Sequence, residues 1–179
     1  MPNRYKVEIR AVLGITALGL TLAAGGAFPE AKMSVHSDAV GAGGRIAVRN
    51  SAYGAGLSPE VNWSPVAGAK SYAIVLDDPD APGTQPFVHW LVWNIPSLRP
   101  RLDEGAEPPG ASVGRNSNGG TGYWGPHPPS GTHHYHLRVM ALDTVLSLNQ
   151  GASRAQFNQA ARGHVIATGE TVGLFSPPH

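Results

Sequence analysis

Apolar residues along this chain fall into short runs broken by glycine and proline. Three of the runs are strong. Ser71–Leu76 reads SYAIVL and residues 88–95 read VHWLVWNI. In Thr132–Leu142, His133, Tyr135, Leu137, Val139 and Ala141 alternate with His134, His136, Arg138, Met140 and Leu142. A period of two over such lengths predicts β-strands. In the third run the apolar company points His133 and Tyr135 inward, and His134 and His136 outward. In residues 88–95 the alternation puts His89, Leu91, Trp93 and Ile95 on one face. Val88, Trp90, Val92 and Asn94 take the other. Both faces are largely apolar, which predicts a central strand covered on both sides.

Weaker patterns fill the remainder. Met33–Asp38, Arg45–Arg49, Glu60–Ser64, His164–Thr168 and Thr171–Phe175 read as short strands. Residues 41–44 read as a turn and residues 50–59 as a loop. Ser153-Arg-Ala-Gln156 has the form of a capping box, and opens a helix over Arg154–Arg162 that Gly163 would stop. Residues 96–113 and 114–131 are rich in glycine and proline and read as long loops. Long ordered loops are uncommon unless they have a use. The pattern as a whole predicts a mainly β domain with one or two short helices and no internal repeats.

The amino end breaks this pattern. Arg4, Lys6 and Arg10 precede an uncharged stretch over residues 11–24, followed by Gly25-Gly-Ala27. A basic segment, a short apolar core and a small-residue end describe a secretory signal peptide over residues 1–27. The apolar stretch falls short of a full membrane span of about 20 residues. The expected location is therefore the periplasm or outside the cell. The alternative is anchorage in a membrane by residues 11–27. Residues 28–179 form the single expected domain.

Composition narrows the function classes. Of 179 residues, 23 are glycine and 16 are proline, and none is cysteine. Disulfides, a thiolate nucleophile and cysteine-ligated zinc are thereby excluded. A net charge of +1 gives no footprint for nucleic acid.

The candidate chemistry sits at strand ends. Asp77-Asp-Pro-Asp-Ala-Pro82 follows the first strong run, and His89 begins the second. Prolines 79 and 82 end the strand. Gly125-Pro-His-Pro-Pro-Ser-Gly-Thr-His-His-Tyr135 leads into the third. Carboxylates and imidazoles at neighbouring strand ends point to one shared polar pocket. His89 and His133 can donate N–H bonds to an anion. The glycines near 119–125 would let backbone N–H groups form an anion nest. Asp78 would orient a histidine or accept an ammonium group. Asp80 reads equally as a turn former.

These segments resemble the phosphatidylethanolamine-binding protein family. The resemblance rests on Asp78-Pro-Asp-Ala-Pro82, His89-Trp90, Gly122-Tyr-Trp-Gly-Pro-His-Pro-Pro129 and Gly131-Thr-His-His-Tyr135. It is nearest to the bacterial branch often called Raf-kinase-inhibitor-like, and runs from about Met33 to Phe175. It implies a central antiparallel Greek-key sheet, a smaller second sheet and peripheral helices. It also implies an anion pocket lined by Asp78, Pro82, His89, Gly125, Pro126, His133 and Tyr135. Two positions depart from the family pattern. His127 stands where bacterial relatives often have cysteine, and His134 where arginine is usual.

Two functions follow. The first is non-enzymatic binding of a phosphate-type or phospholipid head-group ligand, with inhibition of a partner kinase or protease as a consequence. The second is hydrolysis by the Asp78, His89 and His133 cluster, with or without a metal. The sequence carries no HExxH spacing and no GxSxG nucleophile motif, although Ser117 and Ser130 lie in glycine-rich loops. Binding is the favoured reading, with no cofactor, no metal and no catalytic residue assigned. Pairing of sheet edges would allow a homodimer.

Overall fold

The computed structural model describes residues 31–40 and 44–178. The signal-peptide and anchor readings lie outside these residues, as does most of the turn at 41–44.

The three strong apolar runs form the middle of a six-stranded sheet. They are β4 (Ser71–Asp78), β5 (Phe87–Pro96) and β8 (His133–Leu142). β9 (Val165–Phe175) pairs with β8, and the two-residue strands β1 (Ala31–Lys32) and β7 (Ser112–Val113) close the edges. The order is β1-β9-β8-β4-β5-β7, antiparallel except for the β1–β9 pair. A smaller antiparallel sheet joins β2 (Val35–His36), β3 (Val61–Trp63) and β6 (Arg101–Leu102) in the order β2-β3-β6.

All eight residues of β4 are buried, because the sheet is covered on both faces. One core lies between the two sheets and includes Ile74, Leu76, Trp90, Leu137 and Val61. The other lies under α1 (Arg154–Ala161) and includes Val75, Leu91, Trp93, Phe157 and Ala161. Each such large apolar side chain contributes about 1.5–3 kcal/mol by leaving water. The capping box at Ser153 and Gln156 is present in full, so the short helix starts where its sequence places it.

The structure corrects the strand pattern at several points. Arg45–Arg49 is not a strand. Arg45 makes one bridge to Leu174, and Val48–Asn50 then forms a 3-10 turn. Local bonds win here: Asn50 N–H donates to Ala47 O at 2.9 Å, and the Ser51 hydroxyl donates to Val48 O at 2.8 Å. Residues 96–113 are not all loop, since they carry β6 and β7. The two closing pieces are one continuous strand of 11 residues.

The largest correction concerns β5. Its alternation breaks twice. Leu76 pairs with Trp90 but Asp77 pairs with Val88, so His89 is an extra residue in a β-bulge. His89 is thereby turned away from Leu91 and Trp93 onto the face that carries Tyr135. A second irregularity falls at Asn94, whose φ is +60°. The Asn94 side chain holds that bend by exchanging hydrogen bonds with the Leu146 backbone at 2.8 and 3.0 Å. Ile95 then returns to the core between the sheets.

Candidate functional site

A cavity of about 190 Å³ opens where β4, β5 and β8 end together. β4 delivers Asp78, the bulge in β5 delivers His89, and the first residue of β8 delivers His133. Pro82 forms part of the wall, as do Phe87, Trp124 and His127.

The hydrogen bonds fix how the two imidazoles are presented. His133 Nδ1–H donates to Asp78 Oδ2 at 2.7 Å. His89 Nδ1–H donates to the Trp124 carbonyl at 2.7 Å, and Trp124 N–H returns a bond to the His89 carbonyl at 2.8 Å. A carbonyl or carboxylate on Nδ1 sets the tautomer. Both rings therefore keep Nε2 for a ligand. Burial pushes the His89 pKa down, with the Trp124 carbonyl and the Asp78 charge acting against it. His89 is neutral near pH 7, and its Nε2 is then an acceptor.

Asp78 is nearly buried, with a side-chain exposure of 3%. Its two oxygens have separate tasks. Oδ1 accepts Asp80 N–H at 2.8 Å, which closes the turn before Pro82, and Oδ2 holds His133. Asp80 is not the turn former. Its Oδ2 accepts His134 N–H at 2.8 Å and His134 Nδ1–H at 2.7 Å, and the ring donor lowers the Asp80 pKa most, followed by the backbone N–H. His134 and His136 face away from the cavity, as their alternation predicts: His134 is exposed and His136 pairs with Glu170.

Gly125, Pro126 and Tyr135 do not line the cavity; they brace it. A Cβ on Gly125 would stand 2.5 Å from the Ser51 carbonyl carbon, so only glycine permits this approach. The Pro126 carbonyl accepts Ala52 N–H at 3.0 Å and ties the same strap down. Tyr135 is fully buried, 5.2 Å edge-on from the His89 ring and 6.5 Å from the His133 ring. Among the described residues its hydroxyl meets no hydrogen-bond partner. Burial, then the nearby Asp78 charge, push its pKa far up, so it stays protonated.

Three of the glycine amides expected to form a nest are already bonded within the loop. Gly119 N–H donates to Asn116 O, Gly120 N–H to Asn116 Oδ1 and Gly122 N–H to Gly114 O. These donors are spent on shaping the loop and are not turned to a ligand. The sequence reading also missed Phe87 and Asn118 on the wall. Phe87 lies two residues before His89 and 4.7 Å from its ring. Proximity to His89 at a strand start was the available signal. His127 does add an imidazole at the rim, 4.8 Å from the Tyr53 ring.

Residues 36–176 match the model of the family described as phosphatidylethanolamine-binding protein. The chain belongs to this family. It is 42% identical over 149 residues to a UPF0098 protein of Methanothermobacter thermautotrophicus, covering 80% of this chain and 98% of that one. A relative in Mycobacterium tuberculosis, named as a lipoprotein, LppC, is 39% identical over 135 residues, covering 74% of this chain and 67% of that one. Among solved structures, YbcL of E. coli superposes with a TM-score of 0.76 at 32% identity, covering 83% of this chain and all of YbcL. A family homologue from Chlamydia trachomatis gives 0.78 at 35%, covering 82% of this chain and 99% of its own. The mainly β fold with two sheets is thus the fold of the family. Among the described residues, no helix is long and apolar enough to cross a membrane.

Proposed function

We propose that this protein binds a small phosphate-type ligand, such as a phospholipid head group, without chemically altering it. The observation that carries this reading is the pair of imidazoles anchored through Nδ1, with both Nε2 atoms left to one cavity. The cavity volume of about 190 Å³ decides the scale. Pockets for drug-sized ligands start at roughly 300 Å³, so a head group fits and a whole lipid does not. The Asp78 oxygens accept from His133 and from Asp80 N–H, so the carboxylate serves to orient an imidazole towards the ligand.

Neutral His89 adds a requirement. Its Nε2 accepts the P–OH of a monoprotonated phosphate, or it takes up a proton as the dianion binds. Hydrolysis has less support. Ser117 lines a different cavity and its Oγ accepts Val88 N–H, while Ser130 is absent from the wall beside His133. The lipoprotein name of the mycobacterial relative supports reading residues 1–27 as an export segment.

Calorimetry with inorganic phosphate, phosphoethanolamine and ethanolamine tests the proposal. Binding of the first two is expected, with His133→Ala removing the binding of inorganic phosphate. Binding of ethanolamine alone, or turnover of phosphate esters that His133→Ala abolishes, would overturn it.

A further inference from the structure

The central sheet has a second cavity, on its opposite face. Its volume is about 400 Å³, roughly twice that of the pocket at the strand ends. The two cavities have no lining residue in common but draw on neighbours in the chain. Asp77 lines one and its neighbour Asp78 the other, and the same division holds for Val88 and His89, and for Ser117 and Asn118. Ordinary strand alternation separates Val88 from His89, and the bulge in β5 decides that His89 takes the Tyr135 face.

The polar groups of the rear cavity are mostly donors. Asp77 is the carboxylate facing it, with a side-chain exposure of 3%. That carboxylate is already matched twice. Oδ1 accepts Arg138 Nη1–H at 3.0 Å and Oδ2 accepts Arg154 Nη1–H at 2.9 Å. Arg154 Nε–H donates to Asn158 Oδ1 at 3.0 Å, which leaves the Arg154 Nη2 hydrogens and the Asn158 amide hydrogens available. Ser117 Oγ accepts Val88 N–H at 2.8 Å and keeps its own hydrogen to donate. The Arg115 guanidinium lines the same cavity, is exposed, and makes no ion pair among the described residues. At the start of α1 the capping box takes up the Ser153 and Gln156 N–H groups.

We propose that this rear cavity binds a small organic oxyanion, a phosphomonoester or a carboxylate, between Arg115 and Arg154. Two planar guanidiniums suit bidentate contact with either group. A bare phosphate would leave most of a cavity this size empty. The organic body rests on Pro86, Val88 and Ala155, which supply the apolar wall. The site is independent of the histidine pocket: neither His89 nor His133 lines it.

Nitrogen-15 NMR titration of the protein with phenyl phosphate, and separately with benzoate, at constant ionic strength tests this site. Saturable shifts of the Ser117 and Ala155 amides are expected with one or both probes, which also tells phosphate from carboxylate preference. They persist in His133→Ala, and Arg115→Gln weakens them about tenfold or more, the loss of roughly one charged hydrogen-bonded contact. Arg115 is unpaired and exposed, so its replacement leaves the fold and the spectrum otherwise intact. The proposal fails if neither probe saturates, if Arg115→Gln binds as well as the parent, or if His133→Ala removes the shifts.

Discussion

His133 Nδ1 lies 2.7 Å from Asp78 Oδ2, and the same Asp78 carboxylate closes the turn at Asp80 N–H, 2.8 Å away. One buried carboxylate therefore sets both the course of the chain after β4 and the orientation of an imidazole from β8. Asp78→Ala is expected to weaken phosphate binding by roughly tenfold to a hundredfold, the usual worth of a charged hydrogen bond of about 1.5–3 kcal/mol. Calorimetry reads the affinity, and nitrogen-15 shifts of the His133 ring read the loss of its fixed tautomer. Unchanged affinity would remove Asp78 from the site.

His89 predicts the direction of pH dependence in binding. Burial lowers its pKa, and an anion favours its protonated form. Phosphate affinity should rise as pH falls from 8 towards about 6, with net proton uptake. Calorimetry in buffers of different ionisation enthalpy reads that uptake directly. His89→Asn should flatten this part of the profile.

The same depressed pKa acts on stability with the opposite sense. Above the unfolded value of about 6.5 the ring is neutral in both states and contributes no pH dependence. Below it the unfolded chain takes the proton first, so folding stability falls as pH drops towards the lower folded pKa. Urea midpoints at pH 7.5 and 5.5 should differ less in His89→Asn than in the parent protein.

Gly125→Ala should damage the pocket without touching its lining. The new methyl would meet the Ser51 and Ala52 backbone at 2.5 and 2.6 Å, and neither backbone can step aside cheaply. A loss of about 1–3 kcal/mol in stability is expected from such overpacking. Phosphate affinity should fall with it, because Trp124, the neighbour of Gly125, holds His89. Denaturant unfolding and calorimetry on one variant check both effects.

Ser153→Ala offers a control away from the strand-end pocket. It removes the hydroxyl that accepts Gln156 N–H at 3.3 Å and so opens the capping box. The expected cost is about 1 kcal/mol of stability, with phosphate affinity at the histidines unchanged.

Local pattern carried much of this molecule. The period of two placed β4, β5 and β8, and put His133 and Tyr135 on the inner face with His134 and His136 outside. Capping chemistry placed α1 to within a residue, because a helix start depends on four consecutive residues. The family was legible too, since its motifs are contiguous. Tertiary structure alone decided the facing of His89. Its bulge arises from the pairing of β5 with β4, a relation between residues far apart in the chain, and alternation within β5 assigns the opposite face. Tertiary structure also decided that the Gly119–Gly122 amides serve their own loop and that Gly125 packs on Ser51. A hydrogen-bond donor in a sequence has no partner until the fold brings one within reach.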